Sequence, residues 1–125
     1  MKTTSGRDLL AYAEDMLARS EVVTSGLWPR AASLLGRQAL EKVLATLWST
    51  RAPGLAGCSS RAQLLCLPTF VNVEIAALAS HAWVSLSHAC HQHVYELAPS
   101  AEEIAAWLGD VRRLVDAVEG DHDGS

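Results

Sequence analysis

The chain has 125 residues, half of them hydrophobic, and a formal net charge of −4. This length and apolar content suit one domain over residues 1–125 with a single core, ordered over about residues 5–118. The acidic balance argues against a sequence-independent DNA binder, whose affinity comes from neutralising phosphates with Lys and Arg. Any nucleic-acid role must therefore use a local site.

The opening residues are polar, with no apolar core of the signal-peptide kind, and no run reaches the roughly 18 uninterrupted apolar residues of a membrane span. The three cysteines, Cys58, Cys66 and Cys90, are odd in number and contain no Cys-x-x-Cys pair. Reduced thiols in a cytoplasmic protein with no membrane contact are the expectation.

In chain order, the first helix is expected over residues 5–22. Leu9, Ala13, Met16 and Leu17 recur at helical spacing, and Ser5 with Asp8 reads as a capping box. Gly26 and Pro29 close the connection that follows, Pro29 suiting a first helical turn because its missing donor is not needed there. The second helix spans 29–50, with Leu35, Ala39, Leu40, Val43, Leu44 and Leu47 forming a wide apolar face. Pro53 and Gly54 stop it. A short helix over 60–67 is ended by Pro68, since the residue before proline avoids helical geometry. A third long helix runs over 73–91, reaching 93 at most. Ser100 and Glu103 form a second capping box, opening a helix striped by Ile104, Trp107, Leu108, Val111, Leu114, Val115 and Val118. No segment alternates as a strand does. The expected fold is all-α: an antiparallel four-helix bundle with one additional short helix.

The helix over 73–91 carries two stripes. At about 100° per residue, Ile75, Leu78, Ala82, Leu86 and Ala89 share one face, the expected core side. Ala77, His81, Val84, His88, His91 and Tyr95 share another, with the four–three spacing of a helix–helix seam. An ordinary solvent face would carry Lys and Glu, yet residues 74–93 hold no Lys, Arg or Asp. The second stripe is thus either a homodimer interface or cleft, or the side of a helix buried centrally in the monomer. Histidine suits acid–base work near neutral pH, which makes His88, His91 and His93 candidates.

Other chemistries find less support. Adjacent helical residues point about 100° apart, so Cys90 and His91 cannot share a metal within a helix, and no second ligand cluster is present; no metal or cofactor is expected. No nucleophile elbow surrounds Ser85 or Ser87. The Gly54-x-x-Gly57 loop lacks the Lys of a P-loop. Trp28, Trp48, Trp83 and Trp107 read as core and interface anchors.

Two segments together resemble HEPN domains (higher eukaryotes and prokaryotes nucleotide-binding). Arg37-Gln38-Ala39-Leu40-Glu41-Lys42-Val43-Leu44 is similar to the Gln-Ala-x-Glu-Lys run of that family's second helix. His88-Ala89-Cys90-His91-Gln92-His93-Val94-Tyr95 is similar to its ribonuclease motif, an Arg followed after four to six residues by a His, often with a Tyr two further on. The resemblance implies a homodimeric HEPN-like bundle handling RNA or a nucleotide at a His/Tyr-lined cleft, either as a metal-independent ribonuclease or as a catalytically impaired relative. It implies His93 as general base, His88 at the phosphate, and Tyr95, His91, Gln38 and Lys42 around the substrate. It also implies a toxin–antitoxin setting, in which a nucleotidyltransferase-type partner protein modifies Tyr95. His88 stands where the family has Arg. An imidazole offers at most two donors and is charged only when protonated, whereas a guanidinium is a permanent planar fork. Arg30, Arg37 and Arg61 are candidates to supply the missing cation. The alternative from another class is a non-enzymatic helical module that dimerises through the same stripe.

Overall fold

The computed structural model describes residues 4–19, 28–91 and 97–120. Among these the chain is all-helical, with no strand. The elements are α1 (Gly6–Ala18), α2 (Trp28–Arg51), α3 (Ser60–Cys66), α4 (Val73–Cys90) and α5 (Ala101–Val115). Short 3-10 turns occupy Pro53–Gly57 and Leu67–Thr69, and a π-helical turn, Asp116–Gly120, continues α5.

Local chemistry sets the helix starts. At α1 the Ser5 hydroxyl accepts from the Asp8 N–H at 3.0 Å, and the Asp8 carboxylate accepts from the Ser5 N–H at 3.3 Å. Ser100 and Glu103 repeat this exchange at α5, at 3.0 and 2.9 Å. Both capping boxes satisfy backbone donors that have no partner inside the helix. Ser59 and Asn72 cap α3 and α4 through side-chain oxygens. Boundaries differ from expectation at four helices: α2 is longer by one residue at each end, and α3 ends at Cys66, while Leu67, before Pro68, keeps helical angles (φ −56°, ψ −36°) and enters a 3-10 turn. α1 ends at Ala18, and residues 20–22 and Gly26 lie outside the described residues. α4 ends at Cys90, with His91 as its C-cap at φ −110° and ψ 20°.

The four longer helices surround one core, in which α2 packs on α1, α4 and α5. Leu10, Leu40, Leu44, Trp48, Leu86, Ile104, Leu108 and Leu114 are fully or almost fully buried there. Trp48 meets Phe70 edge to face, with ring centroids 5.3 Å apart. Two glycines permit close approach. A Cβ on Gly6 would meet Val43 Cγ2 and would lie 2.9 Å from the Ala39 carbonyl oxygen, so α1 crosses α2 nearly backbone to backbone. A Cβ on Gly36 would stand 2.5 Å from Leu108 Cδ2, where α2, α4 and α5 converge. Arg112 with Glu14, and Arg7 with Asp116 at 3.1 Å, tie the end of α5 to α1. Both pairs are partly exposed, so each contributes at most about 1 kcal/mol.

The core face of α4 is rotated from the expected one. Ala76, Ala79, Ala82, Leu86 and Ala89 are buried, whereas Ile75 and Leu78 are half-buried on the flank. Size decides this: α4 approaches its neighbours along a row of alanines, and the larger Ile75 and Leu78 cover the edges of the contact. The stripe on α5 is as expected for Ile104, Leu108, Val111, Leu114 and Val115, all buried. Trp107 and Val118 pack against the core while partly exposed.

Candidate functional site around α4

Ala77, His81, Val84 and His88 of α4 point away from the core with the C-cap His91 beside them, and all five are exposed, as are Val73 and Glu74 in the first turn. Val84 retains 61% of its accessible surface. The helix is therefore not buried centrally within the monomer, and one of its faces meets no other described element. His93 and Tyr95 lie outside the described residues.

On the α5 flank, His88 lines a cavity of about 360 Å³ with Ser85, Leu97, Pro99, Glu103 and Trp107. Its wall is mixed: an imidazole, a hydroxyl and an indole face a carboxylate that also accepts from the Ser100 N–H. One cation and two imidazoles face three acids across the α4–α5 seam. Glu74 pairs with Arg113 at 3.9 Å. Two turns on, His81 lies close enough to Asp110 to favour its ionised form. After two further turns, His88 shares its cavity with Glu103. Burial is the larger influence on Asp110 and raises its pKa above the ordinary carboxylate value, with His81 and Arg113 pulling the other way.

A raised carboxyl pKa in the folded state favours the folded protein at low pH and loses that contribution as pH rises through the folded-state value. Ionised Asp110 is thus a mild cost at neutral pH. Asp110→Asn should raise the thermal midpoint at pH 7, and the difference from wild type should shrink as pH falls below the ordinary Asp range. Paired melting curves across that range check this.

On the α2 flank, Trp83 Nε1 donates to Glu41 Oε2 at 3.3 Å, and Arg37 Nε donates to the same oxygen at 3.2 Å. The Arg37 guanidinium carbon lies 5.4 Å from the Trp83 ring centroid, within cation–π range. Cys90 is on the same side. Burial pushes its thiol pKa up, Arg37 and Arg30 oppose that rise, and Glu41 adds to it. A thiol raised in this way is poorly nucleophilic.

The structure brings Arg37 and Glu41 to α4. Gln38 and Lys42 lie one residue, about 100°, further round α2, Gln38 exposed and Lys42 half-buried. In the sequence Arg37 and Glu41 stand only in the run similar to the HEPN second helix, with nothing to link them to Trp83. The spacing of four was visible, but which flank of α2 would receive α4 was not.

On the α3 side, a groove of about 340 Å³ is lined by Arg61, Leu64, Leu65, Ser80, Trp83 and Val84. Leu65 stands at its edge with 75% of its surface exposed. Among the described residues no three His, Cys, Asp or Glu side chains gather where they could hold a metal ion. Within the same residues, no helix is long and apolar enough to cross a membrane. No protein-family model, curated protein or solved structure matches the chain.

Proposed function

We propose that the chain is a HEPN-like four-helix bundle that works as a homodimer and handles RNA or a nucleotide in the cleft beside α4. The observation that carries this reading is the exposed, imidazole-bearing face of α4 (His81, His88, His91), whose His88 opens into a cavity large enough for part of a nucleotide. In this reading His88 contacts phosphate, His93 removes the proton from a ribose 2′-hydroxyl, and Tyr95 positions the phosphate or ribose. His91, the C-cap of α4, contacts the same ligand in this reading. Gln38 and Lys42 reach the ligand only where it extends over the exposed side of α2. The setting is cytoplasmic, and Tyr95 is the acceptor for a nucleotidyltransferase-type partner of a toxin–antitoxin pair.

The test uses the purified 125-residue chain with fluorescein-labelled single-stranded and hairpin RNA, without divalent metal. Wild type should bind. His88→Ala should weaken binding by about tenfold or more, since a hydrogen bond to a charged group contributes about 1.5–3 kcal/mol. Cleavage, where seen, should vanish in His93→Ala. Equal affinity in wild type and His88→Ala would remove the site.

A second reading, a dimerisation module without chemistry, is favoured by one specific observation. Glu103 puts a carboxylate in the same cavity as His88, where it opposes a phosphate unless the imidazole is protonated. A stable dimer with no affinity for RNA or nucleotides would select this reading.

A further inference from the structure

Leu64 and Leu67 are buried and seat the short helix α3 on the core. Arg61 and Leu65, one turn apart, then share the edge of α3 that borders the groove toward α4. Ser80, Trp83 and Val84 stand at the three- and four-residue spacing that puts them on one edge of α4, and they form the facing wall. Leu65 and Val84 are exposed, which few large hydrophobic side chains are among the described residues. Trp83 donates its indole N–H to Glu41, so it offers the groove ring surface and no donor.

The charge in this groove has one sign. Of its lining residues Arg61 alone is ionisable, and Ser80 adds a hydroxyl. Arg7, Arg19, Arg37, Arg112 and Arg113 each meet a carboxylate, and Arg51 lies over the Phe70 ring. The exposed Arg61 side chain has no such partner among the described residues. In a chain of net charge −4 it leaves a cation beside apolar surface. A guanidinium is a planar fork of donors whose geometry matches a carboxylate.

Size separates a small ligand from a macromolecule. α3 has seven residues, so the groove runs for about 10 Å. A specific protein interface buries at least about 500 Å² on each partner, more than so short a groove supplies. Its volume of about 340 Å³ falls in the range of small-molecule sites, roughly 300–1,000 Å³.

We propose that the α3–α4 groove binds a small amphiphile, an unbranched alkyl chain ending in one carboxylate, with the chain along Leu65, Trp83 and Val84 and the carboxylate on the Arg61 guanidinium. The site lies across α4 from the His88 cavity and does not depend on the RNA reading.

Calorimetric titration with hexanoate, octanoate, octanol and octylammonium, each below its solubility or micellar limit, tests this. Octanoate should bind about tenfold or more tightly than octanol, because only the carboxylate meets Arg61 through charged hydrogen bonds. Octylammonium should not bind. Each methylene added between hexanoate and octanoate should gain up to about fourfold in affinity. Arg61→Gln should bring octanoate down to the affinity of octanol and leave octanol unchanged, which a merely unfolded variant would not do. Leu65→Ser should weaken both ligands. The indole N–H resonance that disappears in Trp83→Phe should move when octanoate is added to the wild-type chain. No heat and no movement of that resonance overturns the site. Octanoate binding unchanged in Arg61→Gln, or octylammonium bound as tightly as octanoate, overturns the proposal as well. Should Arg61→Gln fail to fold by circular dichroism, the comparison of octanoate with octylammonium on the wild-type chain decides.

Discussion

Replacing Trp48 by alanine should lower the unfolding free energy by about 3–5 kcal/mol, the range for deleting a large buried aromatic side chain. Trp48 has no exposed surface, lies among the leucines of α2, and holds Phe70 edge to face, so the void would open where the turn after α3 meets the core. Trp48→Phe should behave differently. The indole N–H is buried and has no hydrogen-bond partner among the described residues. An unsatisfied buried donor costs about 1–3 kcal/mol, which offsets much of the cavity left by the smaller ring. Urea denaturation at equal slope should therefore place the phenylalanine variant within about 1 kcal/mol of wild type, the alanine variant far below it. Equal losses in both variants would mean that the N–H is satisfied in solution.

Gly6→Ala should destabilise the protein by about 1–3 kcal/mol, the usual cost of forcing added volume into a packed contact. The new methyl would meet Val43 and the carbonyl oxygen of Ala39, and a backbone oxygen inside a helix cannot move aside. α1 would have to lift from α2. Gly36→Ala is the informative companion. Its closest obstacle is the far end of the Leu108 side chain, which can change rotamer, and alanine gains nearly 1 kcal/mol of helix propensity over glycine. The second substitution should cost clearly less than the first. Chemical denaturation of both variants beside wild type gives the comparison.

Features fixed by local chemistry were legible in the sequence. The Ser5–Asp8 and Ser100–Glu103 boxes were readable because a cap needs only residues three apart. The missing charge on the second stripe of α4 reads as a covered surface, whereas Ala77, His81, Val84 and His88 are exposed in the single chain. The core phase of α4 was harder to read. Nearly every residue from Val73 to Cys90 is apolar or small, so hydrophobicity hardly distinguishes one side from the next. Side-chain volume made the choice, and it placed Ala76 and Ala79 inward in preference to Ile75 and Leu78. The pairs Arg37–Glu41 and Gln38–Lys42 have the same spacing, the first on a flank of the α2 core face and the second about 100° further round, toward the side away from the core. Only the packing of α4 on one flank separates them, and no local pattern in α2 records that. His93 and Tyr95, on which the resemblance to HEPN domains leans most, fall outside the described residues.

The seam between α4 and α5 sets how far one helix can slide along the other. Glu74, His81 and His88 recur every two turns, and Arg113, Asp110 and Glu103 answer them from a helix running the other way. Greasy contacts alone tolerate a shift of a turn or two, because one alanine row looks much like the next. Here such a slip is penalised in one direction, where Asp110 would be carried toward Glu74 and two carboxylates would confront each other. Polar groups that add little to stability thus bias the α4–α5 seam against one of its two directions of slip.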